Sequence, residues 1–126
     1  NCPKQMGDSM AGLSTHVLDT ARGAPAAGLK IELFADPGGA RRPLGTFTTN
    51  ADGRTDGLLI APEDMASGSY ELVFHVGDYL RAGGLVDDGE LFLDIVPLRF
   101  GVRDPAQHYH VPLLVSPFAY STYRGS

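Results

Sequence analysis

Hydrophobic and polar residues alternate with period two along much of this chain, the pattern of strands with one face in a core and the other outside it. In Leu13-Ser14-Thr15-His16-Val17-Leu18-Asp19, one face carries Leu13, Thr15 and Val17 and the other Ser14, His16 and Leu18. Leu29 to Ala35 follows a turn at Gly23 and Pro25, and Asp36-Pro37-Gly38-Gly39 breaks it off. Leu44 to Thr49 predicts a further strand, and Leu58-Leu59-Ile60-Ala61 is a strand-sized apolar run. Tyr70 to Val76 places Tyr70, Leu72, Phe74 and Val76 on one apolar face, with His75 on the opposite, surface or interface side. Asp78 to Ala82 predicts a helix of little more than one turn, stopped by Gly83-Gly84. Leu91 to Phe100, His108 to Val115 and Phe118 to Tyr123 complete the set. The expectation is an all-β antiparallel β-sandwich of seven to eight strands with one short helix.

Composition narrows the function more than the fold. A chain of 126 residues holds one hydrophobic core, and 16 Gly with 9 Pro suit short strands joined by tight turns. A net charge of −5, with ten Lys and Arg dispersed along the chain, excludes a surface built for phosphate backbones, so no nucleic-acid partner is expected. No stretch approaches the roughly eighteen apolar residues of a membrane span, so no membrane partner is expected either. The single cysteine, Cys2, has no internal disulfide partner, which is compatible with the cytoplasm. Residues 1–12 read as a flexible leader or tag remnant and 13–126 as the domain. A cytoplasmic location is favoured, with the periplasm open if a signal peptide was removed.

Candidate chemistry concentrates in four places. His108 and His110 share one face of their strand, opposite Tyr109 and Val111, and His16 lies on another strand. Imidazoles titrate near neutral pH, as general base catalysis requires. The His-x-His spacing with His16 also has the make-up of a three-histidine metal site. Arg54 sits in the polar loop Asn50-Ala51-Asp52-Gly53-Arg54-Thr55-Asp56-Gly57, either as a solvated turn residue or as a planar fork of donors for an anionic or carbonyl-rich ligand. Asp52 and Asp56 either orient it or only shape the turn. The tail from Ser116 to Ser126 is dense in aromatic and hydroxyl side chains where chain ends usually fray, which marks it for burial or a site. A nucleophile elbow, a P-loop and a Rossmann glycine pattern are all missing, which speaks against covalent nucleophilic catalysis and nucleotide chemistry.

Three of these stretches resemble the transthyretin-like family. They are Leu13 to Asp19 with Gly23-Ala24-Pro25-Ala26, then Asn50-Ala51-Asp52-Gly53-Arg54, and finally His108 to Pro117 with Tyr120 to Ser126. The resemblance covers the chain from about Leu13 onward, apart from Gly83 to Glu90. That family includes hormone carriers and purine-degrading hydrolases on one fold, so the fold does not choose between them. The hydrolase branch is marked by His, Arg and His at the three motifs and by a terminal Tyr-Arg-Gly-Ser, present here as His16, Arg54, His110 and Tyr123-Arg124-Gly125-Ser126.

The resemblance therefore implies hydrolysis of 5-hydroxyisourate to 2-oxo-4-hydroxy-4-carboxy-5-ureidoimidazoline, with a non-catalytic carrier of aromatic molecules as the alternative. It implies His16, Arg54 and His110 as catalytic residues, and His16, Arg54, Tyr123, Ser126 and His108 as substrate-binding ones. No metal or other cofactor is implied. The assembly implied is a homotetramer, a dimer of dimers, with active sites in the channel between the dimers.

Overall fold

The alternating stretches form two four-stranded sheets, seen in a computed structural model that describes residues 11–84, 86, 89 and 91–125. The first sheet runs β2 (Ala24–Pro25), β1 (Gly12–Asp19), β7 (His108–Val115), β8 (Tyr120–Thr122). The second runs β4 (Arg42–Thr48), β3 (Lys30–Ala35), β5 (Gly68–His75), β6 (Ile95–Val102). The fold is all-β, as expected, with one helix, α1 (Val76–Ala82). Among the described residues no helix is long and apolar enough to cross a membrane. Residues 1–10 of the expected leader lie outside the described residues, as does Ser126.

Side chains on the inner faces build one core. Leu13 and Val17 from β1 meet Ile31 and Leu33 from β3, Leu72 and Phe74 from β5, and Val111 and Leu113 from β7. Burying such a side chain contributes about 1.5–3 kcal/mol relative to leaving it exposed. Tyr70, Leu72, Phe74 and Val76 are all buried, as their period requires.

One pairing departs from antiparallel. β1 and β7 run parallel, from Gly12 opposite His108 to Asp19 opposite Val115. Parallel neighbours need a long crossover. Here the crossover is the whole second sheet, so the two ends of the domain are brought side by side.

Three local expectations shift. Leu58 to Ala61 is no strand: it touches β1 through one bridge, Ile60 with Leu13, held by Leu13 N–H to the Ile60 carbonyl at 3.0 Å. The strand expected from Leu91 begins at Ile95, because Asp94 turns back and accepts the Gly77 N–H at 2.9 Å. The helix starts two residues early, at Val76, and Gly83 closes it by donating to the Tyr79 carbonyl. His75 is half-buried on the outer side of the second sheet and meets Glu32 Oε1 at 2.8 Å, a contact that holds the Glu32 carboxyl below its ordinary pKa.

The end of β1 is tied down by a buried carboxylate. Asp19, 1% exposed, accepts the Tyr79 hydroxyl at 2.6 Å and the backbone N–H groups of Ala21 and Arg22 at 3.0 and 3.1 Å. Burial and the Asp19 bond push the Tyr79 phenol up to about 12. Asp19→Ala strands three donors, each costing on the order of 1–3 kcal/mol if left unsatisfied. The variant is expected to unfold at clearly lower urea concentration than the parent, with Tyr79→Phe intermediate.

Candidate active site

Period two, combined with the β1–β7 register, assembles the site on the outer face of the first sheet. Ser14 and His16 project from β1 and His108 and His110 from β7, on the side away from the core, and all four are half-buried. Ser14 stands directly opposite His110 in the ladder. Its Oγ lies 2.8 Å from His110 Nδ1 and 3.0 Å from His108 Nε2.

Arg54 arrives from the loop after β4. The loop is wound around Asn50, whose Oδ1 accepts the N–H groups of Asp52 and Arg54 at 2.9 and 3.2 Å. Gly53, at φ +75°, then lays the loop against β1, accepting the Val17 N–H at 2.8 Å. A Cβ at Gly53 would strike the Val17 carbonyl oxygen, so this close approach requires glycine. Arg54 thereby bridges to His16. Asp56 accepts from Asn50 Nδ2 at 3.0 Å, and among the described residues no carboxylate pairs with Arg54. Both aspartates take part in the turn, and the Arg54 charge acts on His110.

The loop also fixes a proton. His16 Nε2 donates to the Asp52 carbonyl oxygen at 2.9 Å. A carbonyl only accepts, so neutral His16 carries its proton on Nε2 and its lone pair on Nδ1. His110 is held below the ordinary histidine pKa, first by burial and then by the positive charges of Arg54, His108 and His16. It is thus an unprotonated base at neutral pH. The three imidazoles are engaged by Ser14 and by the Asp52 carbonyl, and among the described residues no group of three His, Cys, Asp or Glu is disposed to hold a metal ion.

The tail continues along β7 past β8. Thr122 lies opposite Leu113 and Gly125 opposite His110, so the register of the β7–β8 pair is kept beyond β8, past Pro112, which has no N–H to give. Gly125 N–H donates to the His110 carbonyl at 2.7 Å. A Cβ on Gly125 would lie 2.8 Å from His110 Cδ2, so the tail backbone rests against the imidazole. Arg124 points to the other side, over the Tyr109 ring at 4.2 Å, and donates to Gln107 Oε1 and the His108 carbonyl. Tyr123, 60% exposed, borders a cavity of ≈ 250 Å³ with Phe100, Tyr109 and Arg124, away from the imidazoles. Ser126, the other tail residue expected in the site, lies outside the described residues.

The structure therefore brings together His16, Arg54, His108 and His110, and places Tyr123 on a separate cavity away from them. Sequence reasoning missed Ser14, the Asp52 carbonyl and Gly125. Ser14 was visible as a neighbour of His16 on one strand face, whereas its place between two histidines depends on the parallel register. The profile of the HIUase/Transthyretin family matches residues 13–125.

The chain belongs to that family.

Within it, the chain is 58% identical over 114 residues to 5-hydroxyisourate hydrolase 2 of Rhizobium meliloti, covering 90% of this chain and 95% of that protein. It is 59% identical to the 5-hydroxyisourate hydrolase of Mesorhizobium japonicum, covering 90% and 91%. Among solved structures, a (S)-allantoin synthase superposes with TM-score 0.85 at 44% identity. That match covers 92% of this chain and 44% of the other, so the chain corresponds to under half of that larger protein. The matched region spans every histidine, Arg54 and the tail through Gly125, so the site belongs to the family fold and not to an addition on it.

Removing the Arg54 charge takes away one of the forces that keep His110 unprotonated. NMR titration is expected to place His110 below the ordinary histidine pKa in the parent, and to show it rise in Arg54→Ala. An unchanged His110 titration in that variant would refute the electrostatic coupling.

Proposed function

We propose that this chain hydrolyses 5-hydroxyisourate, opening the six-membered ring at an amide bond to give 2-oxo-4-hydroxy-4-carboxy-5-ureidoimidazoline. The observation that carries this reading is the meeting of Arg54, which has no carboxylate partner among the described residues, with His110, whose pKa is lowered by burial and by the Arg54 charge. Amide hydrolysis needs an activated water, a cation at the developing oxyanion and donors that orient the substrate. His110, working with His16, takes the proton from water. Arg54 binds the carbonyl or anionic oxygens of the flat ring and stabilises the charge that grows on them. His108, Tyr123 and Ser126 contribute to binding, Tyr123 from the exposed segment between β8 and the Gly125 contact. The names of the two rhizobial relatives, at 58% and 59% identity, support the same substrate.

The outer position of the site supports assembly of four copies as a dimer of dimers. A face carrying half-buried Leu18 and Leu114 and buried Pro112 beside the imidazoles is suited to cover by another subunit. Phe92 and Phe118 are both exposed, with their ring centroids 6.1 Å apart, and Ile95 and Tyr120 are exposed on the outer strands β6 and β8.

In a coupled assay, urate oxidase generates 5-hydroxyisourate and its absorbance decays faster with this protein than without it. His110→Ala is expected to lower kcat about 10²- to 10⁴-fold, and Arg54→Ala about 10²- to 10³-fold, both with unchanged circular dichroism. The parent rate falls as pH drops through the depressed His110 pKa, because protonation removes the base. Tight binding of an aromatic ligand with no turnover would mark a carrier instead. Deleting residues 123–126 is expected to abolish most turnover while native mass spectrometry still shows a soluble tetramer; full activity would reduce the tail to packing.

A further inference from the structure

Ser14 occupies an unusual position, one hydroxyl shared between two imidazoles. Its Oγ is 2.8 Å from His110 Nδ1 and 3.0 Å from His108 Nε2. A serine hydroxyl carries one proton to donate and lone pairs to accept, so it serves two neutral imidazoles in only one of two opposite senses. In one sense it accepts Nδ1–H of His110 and donates to the Nε2 lone pair of His108. In the other it donates to His110 Nδ1, which leaves His110 with its proton on Nε2 and no free lone pair. Only the first sense leaves His110 a basic nitrogen open to the site.

The structure assigns Ser14 as a positioning residue that joins His108 and His110 into one proton relay, with Nε2 of His110 as the outward base. The inference rests on the proposed hydrolytic reading, which selects the first of the two senses; the tautomers themselves can be read without any turnover. When His110 Nε2 takes a proton from water, the proton on Nδ1 passes to Ser14 Oγ and the Ser14 hydroxyl proton passes to His108 Nε2. His110 ends neutral with its proton on Nε2, Ser14 is regenerated, and His108 becomes the imidazolium. The positive charge moves two residues along β7, away from the reacting centre. Return of the proton along the same path, to the leaving nitrogen, resets both rings.

Surrounding charges favour that direction. Among the described residues, the charged and titratable groups that reach His110 are Arg54 from the loop after β4, His16 from β1 and His108 from β7; the guanidinium opposes charge on His110 at any ordinary pH, and the two histidines do so when protonated. Among the described residues no ion pair joins Arg54 to Asp52 or Asp56, and the Asp56 carboxylate accepts from Asn50 Nδ2. A relay that lifts the proton off His110 relieves this repulsion. Gly125, whose backbone rests on the His110 ring, holds the ring in the plane that keeps Nδ1 on Ser14.

Proton placement has a direct signature. Free histidine prefers the Nε2–H tautomer, whereas this arrangement puts both neutral His108 and His110 in the Nδ1–H form and leaves His16 as Nε2–H. Long-range ¹H–¹⁵N spectra of the uncomplexed protein above the His110 pKa are expected to show that division. Ser14→Ala is expected to return His110 to Nε2–H and to lower kcat about 10- to 100-fold with KM little changed. Ser14→Thr, which keeps the hydroxyl, is expected to restore both the tautomers and most of the rate. An Nε2–H His110 in the parent, or a Ser14→Ala variant with parental kcat, would overturn the relay. A parent that does not turn over 5-hydroxyisourate at all would instead sink the hydrolytic reading, with the tautomer spectra still deciding the proton placement.

Discussion

The parallel register between β1 and β7 is the constraint on which the site depends. Each strand alone supplies an ordinary alternating face. Their pairing sets Gly12 against His108 and Ser14 against His110, which brings one hydroxyl within reach of two imidazoles. A slip of β7 by one residue would carry His108 and His110 to the core side and Tyr109 and Val111 to the outside, away from Ser14 and His16. The inner faces of both strands are buried against the second sheet, so the same burial that stabilises the domain also holds the site in register.

Backbone atoms do much of the remaining positioning. The Asp52 carbonyl decides which nitrogen of His16 carries the proton, and it is delivered by a loop that passes β1 closely enough to need glycine at position 53. The Gly125 backbone bears on His110 in the same way from the other side. Arg124 contributes at a distance: by lying over Tyr109 and bonding to the carbonyl of His108, it fastens the tail to β7 from the face opposite the imidazoles. Side chains that carry charge are thus aimed by neighbours that carry none.

Much of this was legible in the sequence. Strong alternation placed β1, β3, β5 and β7, because a half-buried strand must repeat every two residues. Leu91 to Asp94 and Leu58 to Ala61 misled, since short apolar runs look the same whether they pair in a sheet or merely lean on the core. The histidine and arginine positions stood out through motif resemblance, while composition alone left Arg54 between a turn residue and a ligand-binding one. What stayed hidden was relational. Ser14 between two rings, the absence of a carboxylate partner for Arg54 among the described residues, and the tail resting on His110 all depend on long-range register or turn geometry that no local window contains.

The placement of the polar cluster on the outer face of the first sheet also bears on how such a protein changes over evolutionary time. His16, Arg54, His108 and His110 contribute no side chain to the core cluster, so exchanging them leaves the folding free energy largely in place. Stability and chemistry are encoded on opposite sides of the same two strands. A lineage can therefore discard or rebuild the polar face by a few substitutions without crossing a valley of unfolded intermediates.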